Sequence, residues 1–288
     1  MLKLALPKGR MHEGVTALMA DAGIKLRAGS RGYRPYVSLP GVEAKVLKPQ
    51  SIVEMLRAGS RDLGFAGADW VEELGATSSL VDLLDTEMDP VRLIAAAPVE
   101  LLVGGKLPKD LGRPLVVASE YPALTKRWIA QNGLNAIFVH SWGATEVFPP
   151  EDADCIVDNT ATGATLVANG LEIVGELMRS STRLYANPVA LQNPEKKAIV
   201  DRFVMLLRSV LEARKRVMLE VNVTAEALEA VCRALPCMRE PTISPLHGDA
   251  GYAVKAAVPR VDLPHIIPEL KACGGTDIIV SALGQIVP

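Results

Sequence analysis

Residues Asp154 to Leu171 read DCIVDNTATGATLVANGL. Cys155-Ile156-Val157 is an apolar run short enough for one buried strand, and it ends in an acid, Asp158. Asn159, Thr160, Thr162 and Thr165 then surround a single glycine, Gly163. A helical pattern follows, with Leu166, Val167 and Leu171 as its apolar side. Strand, hydroxyl-rich turn and helix together make a cradle for an anion: the first amides of a helix lack intrahelical partners, and its dipole favours negative charge there. Threonine hydroxyls add donors, and glycine lets the chain turn tightly toward an oxyanion. An acid at the carboxyl end of a strand stands where open α/β sheets hold ligands and suits sugar hydroxyls. The pattern predicts a sugar-phosphate site; the same residues also read as an ordinary strand–turn–helix with a threonine cap.

Working outward, strands and helices alternate. Residues 2–6 form an apolar strand, and a helical pattern runs from His12 to Asp21 with Val15, Leu18 and Met19 inward. Strands are predicted over 42–47, 62–67, 91–98, 115–118, 136–139 and 182–186. Helices are predicted over 51–58, 121–132 and 195–215, and a loop over 104–114. This rhythm predicts an α/β layer with a largely parallel sheet. The tail differs. Arg216–Val223 reads as a strand, Thr224 as the cap of a helix over Ala225–Leu235, and Thr242–Pro245 and Tyr252–Val258 as strands. Leu263–Ala272 reads as a helix and Asp277–Leu283 as a last strand. That βαββαβ order is the ferredoxin-like plan.

Composition narrows the function classes. The 288 residues are 49% hydrophobic with a mean hydropathy of +0.21, enough to core two or three domains of about 100–200 residues each. A net charge of −2 leaves no footprint for nucleic acid or a membrane surface, and the basic run Arg214-Lys215-Arg216 reads as a solvated helix end. No apolar run of about 18 residues predicts a membrane span, and the apolar part of MLKLALPKGR is too short for a signal peptide. Cys155, Cys232, Cys237 and Cys273 form no CxxC pair, which fits free thiols of a reducing cytoplasm. The four histidines are scattered without metal-ligand spacing, so no structural zinc site is expected.

Three more turns follow strands. Pro7-Lys8-Gly9-Arg10 places two cations beside a glycine, suited to a polyphosphate or to a basic surface turn. In DLGFAGADW, Asp69 follows the strand and reads either as a substrate contact or as a helix cap. In Ser119-Glu120-Tyr121-Pro122, Glu120 and Tyr121 read as cleft residues, or Pro122 simply begins a helix at its favoured first turn. Four turns at carboxyl ends of strands in two lobes would make a cleft between the lobes.

The pieces LALPKGR, DLGFAGADWVEELG, ASEYPALTKRW, DADCIVDNTATGATLVANGL and the tail LPCMREPTISPL with GGTDIIVSALGQIVP stand in one order along nearly the whole chain. In this combination the sequence resembles the ATP phosphoribosyltransferases in their long form, with a carboxyl-terminal regulatory domain. The resemblance implies two periplasmic-binding-protein-like α/β lobes plus a ferredoxin-like βαββαβ domain. Residues 1–90 and 181–215 would form catalytic lobe I, residues 91–180 lobe II with the phosphoribosyl phosphate loop, and residues 216–288 the regulatory domain. The implied reaction is the first step of histidine biosynthesis: ATP and 5-phosphoribosyl 1-diphosphate give phosphoribosyl-ATP and diphosphate. Adenine N1 attacks the anomeric carbon as diphosphate leaves, so the site must position, neutralise the departing diphosphate and stabilise a cationic sugar. Mg2+ is the implied cofactor, held mainly by diphosphate and water rather than by protein ligands.

Residue by residue, the resemblance implies that Asp158 and Asp154 approach the ribose hydroxyls, and that Asn159, Thr160, Ala161, Thr162, Gly163, Ala164 and Thr165 cradle the 5-phosphate. Lys8 and Arg10 would neutralise phosphate charge, with Lys8, Arg10 and Asp158 as the catalytic set. Arg10, Arg31, Lys48, Asp69, Glu120 and Tyr121 would lie on the ATP side, with Arg34 an alternative to Arg31. Histidine would inhibit allosterically through Thr242, Ser244, Leu246, Gly275 and Thr276, and the chain would form a homo-oligomer, a dimer or, as expected here, a hexamer. Nucleic acid and membrane are not implied partners, and the implied location is cytoplasmic. The chain departs from the family pattern at Lys48-Pro49-Gln50-Ser51, where Arg-Ala-x-Asp is common, and at Asn159 and Thr160, where more apolar residues are usual. Lysine keeps the charge but loses the planar fork of arginine. The competing reading is a non-catalytic two-lobed ligand-binding or regulatory homologue.

Overall fold

The computed structural model describes residues 1–27, 32–108 and 111–287. In chain order the first elements are β1 (Leu2–Pro7), α1 (Met11–Asp21), β2 (Leu26–Arg27), β3 (Tyr36–Val37), β4 (Val42–Leu47), α2 (Pro49–Arg57), β5 (Leu63–Gly67), α3 (Ala68–Glu73) and β6 (Val81–Pro98). They continue with β7 (Leu115–Ser119), α4 (Pro122–Gln131), β8 (Ala136–His140), β9 (Cys155–Thr160), α5 (Ala164–Ala168), β10 (Leu171–Ala186), α6 (Pro188–Gln192) and α7 (Pro194–Lys215). The tail comprises β11 (Arg216–Val223), α8 (Leu228–Ala234), β12 (Thr242–Pro245), β13 (Tyr252–Pro259), α9 (Leu263–Ala272) and β14 (Thr276–Ala282). The chain divides into two compact units, one of residues 1–17 and 24–201, the other of residues 18–23 and 202–288.

The first unit is built on an eight-stranded sheet in the order β4-β1-β5-β10-β6-β9-β7-β8. Two parallel triples, β4-β1-β5 and β9-β7-β8, flank a long antiparallel ribbon of β6 and β10. The sheet is therefore mixed at its centre rather than largely parallel. The ribbon escapes the hydrophobic pattern because half of it is polar. β6 begins with Asp82, Asp85, Glu87 and Asp89, and β10 with Glu172, Glu176 and Arg179. The acids of β6 meet the far end of β10, where Arg183 bonds Asp82 and Asp85, Ser181 bonds Asp85, and Thr182 bonds Asp89, while Glu176 near the start of β10 pairs with Arg92. Opposite charges and hydroxyls facing across strands supply what apolar alternation supplies elsewhere. Leu171 correspondingly opens β10 and does not extend the helix before it, which ends at Ala168.

The register of this ribbon sets up the site. β5 pairs with β10 so that Gly67 meets Thr182, and Thr182 meets Met88 of β6. On the other side of the ribbon β9 runs antiparallel to β6, so that Thr160 meets Arg92. The carboxyl ends of β5 and β9 thus point toward each other from opposite directions. They stop at levels of the ribbon four residues apart, about 13 Å at the usual rise per strand residue. Separate apolar clusters lie on the two sides: Ala5, Ile52, Val53, Leu56 and Ala66 on one, and Leu93, Ala95, Val117, Cys155 and Val157 on the other.

The tail forms a four-stranded antiparallel sheet in the order β12-β13-β11-β14, the ferredoxin-like arrangement. β11 buries every second residue, Val217, Leu219, Val221 and Val223, against Val231 of α8 and Ile266 and Leu270 of α9, as a strand with one covered face must. Thr224 does not cap α8. Residues 225–227 form a turn and the helix begins only at Leu228, behind Ala227.

Candidate active site

Two cavities open where the ends of β5 and β9 converge. The first, 310 Å³, is lined by Lys8, Arg10 and Met11 after β1, by Gly67, Asp69 and Trp70 after β5, by Tyr121, and by Asp89, Ser180, Ser181 and Thr182 of the ribbon. The second, 380 Å³, is lined by Asp158 to Thr162, Ala164, Thr165 and Leu166 on one wall and by Glu120, Gly143, Ala144, Thr145 and Glu146 on the other. Arg10 and Asn159 line both.

In the first cavity Asp69 is a buried carboxylate. Ser180 donates to its Oδ1 at 2.7 Å and Tyr121 donates to its Oδ2 at 2.7 Å. Gly67 is required by this packing: a Cβ there would stand 2.1 Å from Asp69 Oδ1. Tyr121 is itself buried. Its amide donates to Ser119 Oγ, its ring stacks on Trp70 at 4.6 Å, and its hydroxyl accepts from Asn159 Nδ2 at 3.1 Å. Burial first, then the neighbouring Asp69 carboxylate, push the Tyr121 phenol far above its ordinary range, so it acts as a neutral hydroxyl. The helix after Tyr121 starts at Pro122, and Glu73 of α3 caps it by accepting from the amides of Ala123 and Leu124 at 2.9 Å each. Capping by a buried acid from another helix leaves no local sequence signature.

In the second cavity Asp158 accepts from the amide of Asn159 at 2.7 Å. Burial pushes its carboxyl up to about 6. The Asn159 hydrogen bond opposes that shift, the nearby Glu146 and Glu120 carboxylates add to it, and the Thr145 hydroxyl bond opposes it. The loop that follows is partly closed on itself. The amide of Gly163 donates to Thr160 Oγ1 at 3.0 Å and that of Ala164 to Thr162 Oγ1 at 3.3 Å. Gly163 adopts φ +81°, which favours glycine, and it faces a separate crevice behind α5 rather than this cavity.

Comparison with known proteins identifies the constellation. The ATP phosphoribosyltransferase family model matches residues 48–209, and the model of the C-terminal domain of the same enzyme matches residues 213–285. The chain belongs to the ATP phosphoribosyltransferase family. An ATP phosphoribosyltransferase from Chlorobaculum parvum is 35% identical over 100% of this chain and 98% of its own. One from Solibacter usitatus is 36% identical over 100% and 99%. Among solved structures, the ATP phosphoribosyl transferase (HisG:HisZ) complex from Thermotoga maritima matches with a TM-score of 0.64 at 28% identity. That match covers 74% of this chain and 99% of that chain. Two matched domains and full-length relatives are consistent with the long form. The activity is that of a pentosyltransferase of histidine biosynthesis with ATP and 5-phosphoribosyl 1-diphosphate as substrates, and the reading as a non-catalytic homologue is not favoured.

Against this family background the anticipated residues separate. Lys8, Asp69 and Tyr121 line the first cavity, and Arg10 lines both. Lys8 lies over the Tyr33 ring, 5.4 Å from its centroid. Glu120 faces the second cavity, beside Asp158, and not the side of Asp69 and Tyr121 expected for it. Lys48 is exposed at the start of α2 and lines neither cavity, although its neighbour Pro49 lines the first. Arg31 lies outside the described residues, and Arg34 is exposed and lines neither cavity.

Asp154 does not fit a ribose contact. It lies before β9, at the end opposite Asp158, where Arg113 binds it through two bonds of 2.6 Å and the Val116 amide donates to it at 2.8 Å. Those bonds hold its carboxyl below the usual range, the Arg113 hydrogen bond contributing most. Thr145, Glu146, Asp89, Ser180 and Ser181 were not legible as site residues, since they come from a loop without a motif and from the polar half of the ribbon. Trp70 could have been found beside Asp69 in DLGFAGADW.

In the tail, Thr242 and Ser244 lie on β12 with Leu246 just after it, whereas Gly275 and Thr276 begin β14. These strands are opposite edges of the sheet, about 14 Å apart across three strand spacings. One chain does not bring the two sets together.

Proposed function

We propose that the cavity of Asp69 and Tyr121 receives the adenine nucleotide and the cavity of Asp158, Thr160, Ala161, Thr162, Ala164 and Thr165 receives the phosphoribosyl group. The observation that carries this reading is the pair of residues shared by the two cavities, Arg10 and Asn159: substrates that must meet need a junction, and this junction holds a guanidinium. Adenine N1 brings its own lone pair, so the chain needs no strong general base. The bond from the anomeric carbon to diphosphate breaks with its electron pair going to diphosphate, and Arg10 with Lys8 offsets that charge. Asp158, Glu120 and Glu146 put carboxylates around the sugar cavity, suited to ribose hydroxyls and to a sugar that turns cationic as the leaving group departs.

Family members generally use a divalent metal, and we take it to be Mg2+, which when bound neutralises diphosphate charge. Among the described residues no three His, Cys, Asp or Glu side chains group closely enough to hold an ion. The hard oxygens of Asp158, Glu120 and Glu146 around one cavity nevertheless fit an ion that takes one or two protein oxygens and keeps phosphate and water for the rest.

We further propose that the catalytic part of the chain works as two lobes, residues 1–90 with 181–215 and residues 91–180, a division supported within the eight-stranded sheet by the separate apolar clusters beside the ribbon. Residues 216–288 then bind histidine as a feedback inhibitor. Because the segments around Ser244 and Thr276 lie on opposite sheet edges, a ligand touching both requires β12 of one copy and β14 of another, which supports a homo-oligomer, a dimer or a hexamer. No described helix is long and apolar enough to cross a membrane. The four cysteines are unpaired, in keeping with a cytoplasmic location. The test is a spectrophotometric assay with ATP, 5-phosphoribosyl 1-diphosphate and Mg2+. Phosphoribosyl-ATP forms, whereas absence of product from folded protein at high concentration rejects the reading.

A further inference from the structure

The two cavities are joined by a chain of hydrogen bonds with a defined direction. Asn159 closes β9, and its amide is tied to Asp158 at 2.7 Å in the sugar cavity. Its carboxamide turns the other way and donates from Nδ2 to Tyr121 Oη at 3.1 Å. Tyr121 has one hydroxyl proton, and it goes to Asp69 Oδ2 at 2.7 Å. The phenol oxygen can therefore only accept from Asn159, which fixes the carboxamide with its nitrogen toward Tyr121. The Asp69 carboxylate is completed by Ser180, and the Tyr121 ring carries Trp70 on its face. Each hydrogen bond in such a chain polarises the next. A displacement of the end of β9 is thus passed to the tyrosine and from there to the acid and indole of the nucleotide cavity.

We infer that Asn159 is a positioning residue whose side chain couples occupancy of the sugar cavity to the affinity of the nucleotide cavity. Its backbone belongs to the proposed cradle, but its carboxamide acts through Tyr121. An apolar side chain could fill the space yet offer Tyr121 no donor. A ligand that orders residues 158–165 fixes Asn159, and Asn159 then holds Tyr121 and Asp69 in the arrangement that the nucleotide meets. By linkage the nucleotide must favour the sugar ligand by the same factor.

The inference rests on the assignment of the two cavities, and the experiment separates the two claims. ATP is titrated calorimetrically into the full-length protein with and without saturating ribose 5-phosphate, which has no leaving group at its anomeric carbon and so permits no turnover. The wild-type protein binds ATP at least about fivefold more tightly when the sugar phosphate is present, in the range typical of coupled sites. In Asn159→Leu and in Tyr121→Phe that ratio falls to about one to two, and the double variant lowers it no further, as members of one relay require. Asn159→Gln, which keeps a donor, restores part of it, and unfolding temperatures establish that each variant is folded. Failure of the wild-type protein to bind either ligand overturns the cavity assignment, and the relay with it. Binding of both ligands with a ratio of one, or an undiminished ratio in Asn159→Leu, overturns the relay alone. A ratio that falls additively in the double variant also overturns it, since two independent packing effects would behave that way.

Discussion

Arg113 holds Asp154 by two parallel hydrogen bonds of 2.6 Å, at the end of β9 that faces away from the site. The two acids of the stretch DCIVD therefore have unlike fates: Asp154 is paired with a cation, while Asp158, four residues on, is half-buried, accepts from the Asn159 amide and stands near the carboxylates of Glu146 and Glu120. Asp154→Asn loses charge-assisted bonds and should cost about 1.5–3 kcal/mol of stability, while KM for the sugar substrate stays within about twofold. Because the folded-state carboxyl is held low, its contribution is present above the unfolded value of about 4 and is lost as pH falls through the folded value. Urea unfolding at pH 7 and in acid should show the gap between variant and parent closing in acid. A large rise in KM without loss of stability would return Asp154 to the ribose.

Asp158 behaves in the opposite sense. Its carboxyl, pushed up to about 6 by burial, favours the folded state when protonated. That contribution is complete below about pH 4 and is lost as pH rises through about 6. Asp158→Asn should therefore be more stable than the parent protein at pH 8, by about 1–2 kcal/mol after allowing for solvent screening, with the difference closing in acid. The same variant should lose about tenfold to a hundredfold in kcat/KM for the sugar substrate. The parent's kcat/KM should fall below pH 6 as the acceptor is protonated. A flat profile from pH 5 to pH 8 would remove Asp158 from the reaction.

Gly67 is closed to any side chain by Asp69, 2.1 Å from where its Cβ would stand. Its φ is −71°, so Gly67→Ala tests the contact without backbone strain. Displacing Asp69 disturbs Ser180 and Tyr121 together, and KM for ATP should rise at least about tenfold, with a smaller change for the sugar. Steady-state kinetics with each substrate varied in turn gives the comparison, and a change confined to the sugar substrate would contradict the assigned sides.

If histidine inhibits as proposed, Ser244→Ala and Thr276→Ala should each weaken that inhibition by about fivefold to tenfold, about the worth of one hydrogen bond. Because these residues lie on opposite sheet edges, an oligomer mixed from the two variants contains some sites with both hydroxyls, and it should regain part of the parent's sensitivity. Mixed samples no more sensitive than the separate variants would place the inhibitor elsewhere.

Much of this was legible along the chain because it is local. The break of β1 at Pro7-Lys8-Gly9-Arg10, the start of α4 at Pro122 and the turn at Gly163 each depend on a few consecutive residues. The tail was readable for the same reason, since β11 alternates buried and half-buried residues without interruption. What escaped was long-range. The acid-rich half of β6 has no strand pattern until Arg183 and Thr182 of β10 lie across from it, and Glu73 does not read as a cap until α4 is set against it.

By itself, then, the sequence determined which turns carry charge and hydroxyls, the strand–turn–helix order around Asp158, and the family to which they belong, since these follow from neighbouring residues. Only the tertiary structure decided that Gly67 and Thr160 end within four ribbon residues of each other, that Glu120 joins Asp158 rather than Asp69, and that Asp154 is turned away onto Arg113. The physical reason is register. The side chains that β5 and β9 bring face to face depend on how β6 and β10 pair, and that pairing is a sum of contacts between residues far apart in sequence, from Leu171 with Pro98 to Ala186 with Val81.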